Sequence, residues 1–304
     1  MSLHELVTSL RPGAAAHQRR RRSPGFALLA PAATVFAVVA TMLTTMLTTM
    51  LTPRFALADP ALETETARLP ARGELLLGSV AEFQTSKEGD EIAVPVSIEY
   101  GLLDGLELLI EPVLFTSILP KHGASARGLG DMEVTLTYLA FAETAALPAI
   151  AIAGEVKIAT ARNDLIGSGE HDATFYVAAS KRFGKLDVHA DVGYTFVGAP
   201  RGVRLDNTYS FAAAADYHLS DRSDVFAEVL YASASNPQGG GEGTKGGSTN
   251  SAGAFALAEQ SAEDEVVGTV GLRYHFNANI ELSTSLSYDN SNATLLRAGI
   301  QIRL

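Results

Sequence analysis

The chain has 304 residues, a formal net charge of −11 and no cysteine. The absence of cysteine excludes disulfides, thiolate metal sites and thiol nucleophiles. The acidic balance argues against nucleic acid as a partner, because domains that bind nucleic acid carry basic surfaces. Hydrophobic residues make up 47% of the chain, which is ordinary for a globular protein and low for a bundle of membrane helices.

The N-terminal region, residues 1–58, is predicted to be a signal peptide. Four consecutive arginines precede a long apolar run, and an Ala-Leu-Ala sequence that ends at Ala58 supplies the small residues of a cleavage site. The apolar run is longer than the ~7–15 residues usual for a signal peptide, so an uncleaved anchor helix is the competing interpretation. The polar stretch 59–73 is predicted to be a periplasmic lead-in to the remaining domain, 74–304.

Alternation of apolar and polar residues dominates this remaining domain, and the stretch 185–198 shows it best. Its apolar set is Leu186, Val188, Ala190, Val192, Tyr194 and Phe196, and its polar set is Asp187, His189, Asp191, Gly193 and Thr195. Successive side chains of a strand point to opposite faces, so one face is apolar and the other is polar. The stretch is also long enough to supply the ~9–11 residues with which a tilted strand crosses a bilayer.

The same alternation predicts twelve strands in chain order. They cover 74–84, 92–101, 106–117, 130–142, 149–160, 172–183, 185–198, 207–219, 225–235, 264–276, 279–289 and 293–304. Pro95 and Pro112 fall within two of them, where proline cannot donate a hydrogen bond to a neighbouring strand. Short connections alternate with mostly longer ones, and the longest, 236–263, has the glycine- and serine-rich composition of a mobile loop.

An even number of strands with connections of alternating length is typical of outer-membrane barrels, which have short periplasmic turns and longer outer loops. Apart from the N-terminal segment no long apolar run occurs, and a spanning structure without helices must be a closed barrel. The sequence therefore predicts an all-β protein, a transmembrane antiparallel up-and-down β-barrel of about twelve strands in the cell outer membrane. A soluble β-sandwich or a lipocalin-like barrel is the alternative, although it would rarely need strands this long.

Two partners follow from the predicted location. Outer-membrane lipid would contact the apolar outer face, and the barrel assembly machinery would insert the chain. Many outer-membrane barrels end in an aromatic residue that helps assembly, whereas this chain ends in the aliphatic Leu304.

Five short segments occur in a characteristic order. They are GLGD at 128–131, EVKIAT at 155–160, GSGE at 167–170, ASKRFG at 179–184 and VHADVGY at 188–194. In their order and spacing they resemble the outer-membrane MetA-pathway of phenol degradation family, which is transporter-like. The resemblance implies an outer-membrane β-barrel that passes small hydrophobic or aromatic compounds, and it brings no catalytic residues with it.

Seven polar residues are predicted to line the lumen near its periplasmic end. They are Asp187, His189, Asp216, His218, Glu228, Arg273 and His275. Each lies on the polar face of a predicted strand, close to the strand end that would be periplasmic. Their charges predict a constriction that selects solutes, as charged side chains do in pores. A solvated wall held together by ion pairs and a metal site of histidines and carboxylates are the alternatives, and no metal or cofactor is expected.

The sequence predicts a passive channel for small solutes, hydrophobic or aromatic compounds among them. A non-transporting barrel whose mobile outer loops bind a partner or a surface is the alternative. No enzyme is expected, because a protease that acts on external substrates would need its Asp and His groups near the outer rim. Neither a His-Glu-x-x-His nor a Gly-x-Ser-x-Gly motif occurs in the sequence.

Overall fold

The computed structural model describes residues 62–201, 203–235 and 264–304. The predicted signal peptide, 1–58, and the predicted long loop, 236–263, lie outside these ranges. The strands of the described residues are β1 (Leu75–Thr85), β2 (Gly89–Leu103), β3 (Leu106–Pro120), β4 (Ala126–Gly128), β5 (Met132–Phe141), β6 (Ala149–Ile158), β7 (Asp172–Phe183), β8 (Leu186–Phe196), β9 (Thr208–Ser220), β10 (Ser223–Ala232), β11 (Glu265–His275), β12 (Ile280–Asp289) and β13 (Thr294–Arg303). Within these ranges no helix is long and apolar enough to cross a membrane.

The strands form one closed antiparallel barrel. Each long strand pairs with the next along the chain, and β13 pairs with β1 from Leu76↔Arg303 to Thr85↔Thr294, which closes the wall. The short strand β4 only extends the edge of β3, where Ile118 pairs with Ala126. The wall therefore has twelve strands, and the prediction of a twelve-stranded antiparallel barrel is confirmed.

The two faces of the wall have opposite polarity. Phe175 is 61% exposed on the outer face, whereas the preceding residue, Thr174, is 2% exposed on the lumenal face. The same contrast recurs around the barrel, where large apolar side chains point outward and polar or charged ones point inward. A soluble barrel would bury its apolar face inside. The distribution is that of an outer-membrane barrel, and it excludes the lipocalin-like alternative.

Aromatic side chains cluster on the outer face at one end of strands β7 to β10. Phe196 makes edge-to-face contacts with Phe175 at 6.3 Å and with Tyr194 at 5.1 Å between ring centroids. Tyr209 lies 6.0 Å from Tyr231 on the neighbouring strand. Such clusters form the girdle that outer-membrane barrels place at the membrane interface.

The opposite end of the barrel carries the beginning of β1, the end of β13 and the short turns. We call it the periplasmic end, because outer-membrane barrels have short periplasmic turns. The turn between β7 and β8 contains only Gly184 and Lys185, and Gly184 adopts a φ of 64° there. Glycine has no Cβ to oppose this left-handed conformation, so it allows the tight turn.

The strand pairing corrects the predicted connections at the outer end. Residues 85–91, which include the charged run from Lys87 to Asp90, were predicted to be the loop between the first two strands. However, β2 already begins at Gly89, and only three residues separate it from β1. Thr85 pairs with Asp90, and their side chains form a hydrogen bond of 2.7 Å. This pairing extends the hairpin into the charged residues.

A second correction concerns the predicted loop over 118–129. β3 continues to Pro120, and β4 lies within the remaining connection. Pro95 is accommodated as an irregularity of the wall, since the pairing of β2 with β3 shifts its register between Val94 and Pro95, and Pro112 lies opposite Met132 at the end of the β3–β5 pairing.

Candidate functional site in the barrel lumen

Arg273 of β11 lies at the centre of a group of charged side chains at the periplasmic end. It is 2% exposed, and its guanidinium nitrogens lie 3.1 Å from a carboxylate oxygen of Asp216 and 3.7 Å from one of Asp224. Its Nε atom lies 3.1 Å from Glu281. These carboxylates belong to β9, β10 and β12, so one cation joins three other strands of the wall.

Two histidines extend this group around Asp224. His218 Nδ1 and His275 Nε2 each lie 2.8 Å from a different oxygen of the Asp224 carboxylate. The other ring nitrogen of His275 lies 3.1 Å from Glu281. Among the residues that the structure describes, no group of His, Asp and Glu side chains is arranged to hold a metal ion.

Strand β8 contributes two more side chains to this group, His189 and Asp187. His189 Nε2 lies 3.4 Å from Asp216, and its Nδ1 lies 2.8 Å from the Ser180 hydroxyl. Arg182 of β7 binds Asp187 at 2.6 Å. The structure thus brings six of the seven predicted residues together. We call the following set the charge network: Asp187, His189, Asp216, His218, Asp224, Arg273, His275 and Glu281.

Two members of the charge network were absent from the predicted set. Asp224 was assigned to the turn before β10, but it is a buried residue of that strand. Glu281 lies on the polar face of a predicted strand, so the alternation could have found it. Its position beside Arg273 depends on strand register, which pairs Arg273 with Ser283 and could not be read from one sequence.

Glu228, the seventh predicted residue, lies apart from the charge network and binds a different element. One oxygen of its carboxylate accepts hydrogen bonds from the Thr64 backbone N–H at 2.7 Å and the Thr64 hydroxyl at 2.6 Å. The same oxygen accepts a third, at 2.9 Å, from the backbone N–H of Glu63. Glu228 therefore anchors a segment that precedes the barrel wall in the sequence.

This internal segment, residues 62–71, lies inside the lumen. Its backbone donates from Glu65 to Asp191 at 2.8 Å and from Ala67 to the Ser180 hydroxyl at 2.9 Å. Ala67 packs with alanines of β6 and β7 in a buried apolar cluster. The stretch 59–73 was predicted to be a periplasmic lead-in, and the structure places residues 62–71 of it against the lumenal side chains. The segment has no strand periodicity, and its partners lie more than a hundred residues away, so the sequence carried no signal for them.

Side chains of the internal segment also bind both sides of the lumen. Arg68 lies 2.9 Å from Asp187 and 2.6 Å from Glu143, and Glu63 forms an ion pair with Arg297 of β13. A Cβ atom at Gly101 of β2 would collide with a carbonyl oxygen of the segment. The segment therefore forms an arc across the periplasmic half of the lumen.

Two carboxyl groups at the internal segment have displaced pKa values. Burial raises the pKa of Glu65 from its ordinary value of 4.5 to about 7, and the nearby charge of Glu63 acts in the same direction. Glu143 lies in the turn after β5. Although burial opposes it, hydrogen bonds from the Arg182 backbone and from two cationic side chains hold the pKa of Glu143 at about 2. At neutral pH, Glu143 is therefore a fixed negative charge, whereas Glu65 titrates.

A family of sequences described as MetA-pathway of phenol degradation matches residues 105–258, which is just over half of the chain. The chain belongs to this family. The match confirms the resemblance inferred from the short segments. Within this member of the MetA-pathway of phenol degradation family, the matched range includes Asp187, His189, Asp216, His218 and Glu228 but ends before Arg273 and His275.

Solved structures agree with this assignment at the level of the fold. An outer membrane channel from Pseudomonas putida F1 is similar, with a TM-score of 0.60 and 14% identity over 81% of this chain and 100% of that chain. The NanC porin has a TM-score of 0.51 and 12% identity over 75% of this chain and 100% of that chain. No curated protein sequence matches the chain. The protein is an outer-membrane β-barrel.

Proposed function

We propose that this member of the MetA-pathway of phenol degradation family is a passive outer-membrane channel for small solutes. The observation that carries the proposal is the polarity of the closed wall, with apolar side chains toward lipid and polar ones toward the lumen. A polar interior is typical of the water-filled channels of porins, and it supports this proposal.

For the solute, we propose small hydrophobic or aromatic compounds. Inward-facing apolar side chains form a buried cluster in the outer half of the lumen, and its members are Ala212, Leu230, Ala232, Val267 and Leu295. Such a surface would receive an aromatic ring, and the description of the family concerns phenol degradation. Both observations support the same class of solute.

The charge network is proposed to form the constriction of this channel. Five of its eight residues are buried, and its members hold one another through contacts of 2.8–4.0 Å, so their charges are fixed in position. Fixed charges at a narrow point select solutes by sign and by hydrogen bonding. Ion pairing that only stabilises the wall would use the same contacts, and conductance of network variants separates the two roles.

We assign no catalytic step to the barrel. Ser180, His189 and Asp216 form a chain of contacts with the residue types of a hydrolase triad. However, Ser180 is 1% exposed, and its hydroxyl already accepts a hydrogen bond from the Ala67 backbone. A nucleophile must approach a substrate carbonyl, and the internal segment covers this one. The contact therefore supports a structural role for Ser180.

The internal segment favours a second candidate function. Its contacts with Asp191, Glu228 and Asp187 span the lumen, as a plug would. A plugged barrel would be a non-transporting protein whose outer loops bind a partner or a surface.

Heat-modifiable gel migration followed by planar-bilayer conductance tests both candidates. We expect the full chain to migrate faster unboiled than boiled, because the closed barrel stays folded, and to conduct in discrete steps. A folded barrel that never conducts would contradict the channel and support the plugged barrel.

The variant Arg68→Ala sharpens this test. It removes two ion pairs that hold the internal segment, at Asp187 and Glu143, so we expect a larger or more frequent conductance step. Arg72→Ala is the matched control, since Arg72 is exposed in the same stretch of chain. Equal conductance in both variants would show that the internal segment does not limit flow.

A further inference from the structure

The side chain of Gln84 on β1 is a buried lumenal group that lacks a partner. It is 1% exposed, and neither the oxygen nor the nitrogen of its amide has a hydrogen-bond partner among the described residues. A buried amide without partners destabilises a fold, so such a group in a native structure calls for an explanation. Its uncharged state does not depend on pH, so both atoms stay available to a ligand under all conditions.

Gln301 of β13 shows what a glutamine with a structural role does in the same lumen. It is also buried, and its amide nitrogen donates a hydrogen bond of 3.1 Å to Glu99 of β2. Because β1 lies between β13 and β2, this bond ties together two strands that are not neighbours. Gln84 makes no comparable bond, although Glu91 of β2 lies directly opposite it. The amide of Gln84 therefore does not hold the wall together.

The residues in register with Gln84 place its amide beside an apolar surface. Its direct partner on β13 is Leu295, which belongs to the buried apolar cluster of the outer half. Leu295 in turn lies opposite Ser287 of β12, and the Ser287 hydroxyl is hydrogen-bonded to Thr269 of β11 at 2.9 Å. The polar groups beyond Leu295 are thus paired with each other. The amide of Gln84 and the apolar cluster are only one strand spacing apart, about 5 Å.

A primary amide beside an apolar surface matches a particular class of solute. The apolar surface fits an aromatic ring, and the amide offers an acceptor oxygen and a donor nitrogen. A ring substituent that both donates and accepts, such as a carboxamide or a hydroxyl group, satisfies both atoms. A carboxylate can only accept and an ammonium group can only donate, so each leaves one atom of Gln84 unpaired. Both ions would also lose their hydration against the apolar surface, which is costly.

We propose that Gln84 determines the specificity of the channel and selects uncharged aromatic solutes that carry a carboxamide or a hydroxyl substituent. This inference rests on the proposed channel function and refines its solute class. The ring lies against the apolar cluster that contains Leu295. The substituent donates a hydrogen bond to Gln84 Oε1 and accepts one from Gln84 Nε2. An unsubstituted ring leaves both atoms unpaired and therefore binds more weakly.

Calorimetric titration of the full chain in detergent, with a blank titration of the detergent alone, tests this selection. Benzamide, toluene and benzoate share a phenyl ring and differ in its substituent. We expect benzamide to bind about tenfold more tightly than toluene, which two hydrogen bonds are worth, and also more tightly than benzoate. Equal affinities for benzamide and toluene would overturn the proposal, because the amide of Gln84 would then contribute nothing to binding.

The variant Gln84→Met separates selection from a structural role. Methionine is similar in size and lacks both polar atoms, so benzamide should lose its advantage over toluene, while resistance to urea stays equal or rises because buried unpaired atoms are removed. Gln301→Met is the matched control. It breaks the bond with Glu99, so it should lower resistance to urea and keep the preference for benzamide. A Gln84→Met barrel that keeps this preference, or that loses as much stability as Gln301→Met, would overturn the proposal.

Planar-bilayer recordings separate the failure of this inference from the failure of the channel. Benzamide bound at Gln84 occupies the lumen, so it should reduce the ion current of the unaltered chain, and Gln84→Met should need about tenfold more benzamide for the same reduction. A barrel that conducts and responds to benzamide equally in both forms would keep the channel and remove the site. A barrel that prefers benzamide in the titration but never conducts would keep the site and remove the channel.

Discussion

Two parts of the lumenal wall differ in whether their charged and polar side chains have partners. On strands β8 to β12, Arg273 and three histidines meet carboxylates at 2.8–3.7 Å, and the carboxylates of several strands share one cation. On the lumenal face of strands β1 to β3, Glu99 and Gln84 carry buried atoms that have no hydrogen-bond partner among the described residues. A polar side chain inside a barrel can therefore stabilise the fold or remain available to a solute. Its partners in the structure distinguish these two roles.

The largest effect should follow from a substitution that disrupts the charge network. Arg273→Ala leaves Asp216, Asp224 and Glu281 without their shared cation. Removal of one partner from a buried ion pair costs about 3–5 kcal/mol, and we expect that loss in the free energy of unfolding, measured by urea titration in lipid vesicles.

Arg303→Ala is the control for this loss. Arg303 pairs with Glu74 at the periplasmic rim, where both side chains are partly exposed. An exposed pair contributes only about 0–1 kcal/mol. Equal losses in the two variants would show that the charge network stabilises the barrel no more than a rim pair does.

A smaller effect should follow at the internal segment, which contacts both walls. Because the chain has no cysteine, Thr66→Cys provides a single label site in the segment. Adding Arg68→Ala removes the contacts with Asp187 and Glu143, and we expect a maleimide to label the cysteine roughly tenfold faster, the equivalent of one lost charged hydrogen bond. Arg72→Ala should leave the labelling rate unchanged, and a slower or equal rate in Arg68→Ala would contradict the anchoring role.

The pH dependence of the internal segment should report Glu65 and Glu143 separately. The pKa of Glu65 is raised to about 7, so the stabilisation linked to its protonation is complete below 4.5 and is lost as the pH rises through about 7. The pKa of Glu143 is lowered to about 2, so its stabilisation is present above 4.5 and is lost as the pH falls through about 2. Protection of residues 62–71 against hydrogen exchange, corrected for intrinsic rates, should therefore peak near pH 4.5.

Two variants identify which carboxyl group causes each decrease in protection. Glu65→Gln should remove the decrease above pH 4.5, and Glu143→Gln should remove the decrease below it. A profile that neither variant changes would mean that other groups control the segment.

The smallest effect should have opposite signs on the two walls. Glu111→Gln removes a like-charge pair with Glu133, so the free energy of unfolding should rise by about 0.2–1 kcal/mol. Asp216→Asn removes the charge that Arg273 and His189 contact, so the same substitution type should lower it. A decrease in both variants would remove the contrast between the walls.

Much of the fold could be predicted because alternation is a local property. The stretch 185–198 predicted β8 within two residues at each end, and strand direction alone placed Asp187, Arg273 and His275 at one end of the lumen. Six predicted residues meet there for this reason. Local patterns also explain the errors, since the charged run before Asp90 obscured the start of β2.

The contacts that distinguish the two walls could not be predicted. Whether Glu99 or Asp216 meets a cation depends on the register of neighbouring strands, and shifting a strand by one residue would reverse every inward side chain. The internal segment lacks periodicity altogether, and its anchor Glu228 lies 164 residues from Thr64. Such pairings are properties of the closed barrel and not of any single stretch.

The pairing of β1 with β13 sets the order in which this protein can mature. Leu76 and Arg303 are partners from the two ends of the wall, so the barrel gains its final seam only when its last strand has arrived. Until then β1 and β12 would present unpaired backbone groups to the bilayer core, where no water can satisfy them. A chain that lacks β13 would therefore be unstable in the bilayer, and stable insertion requires the pairing of β13 with β1.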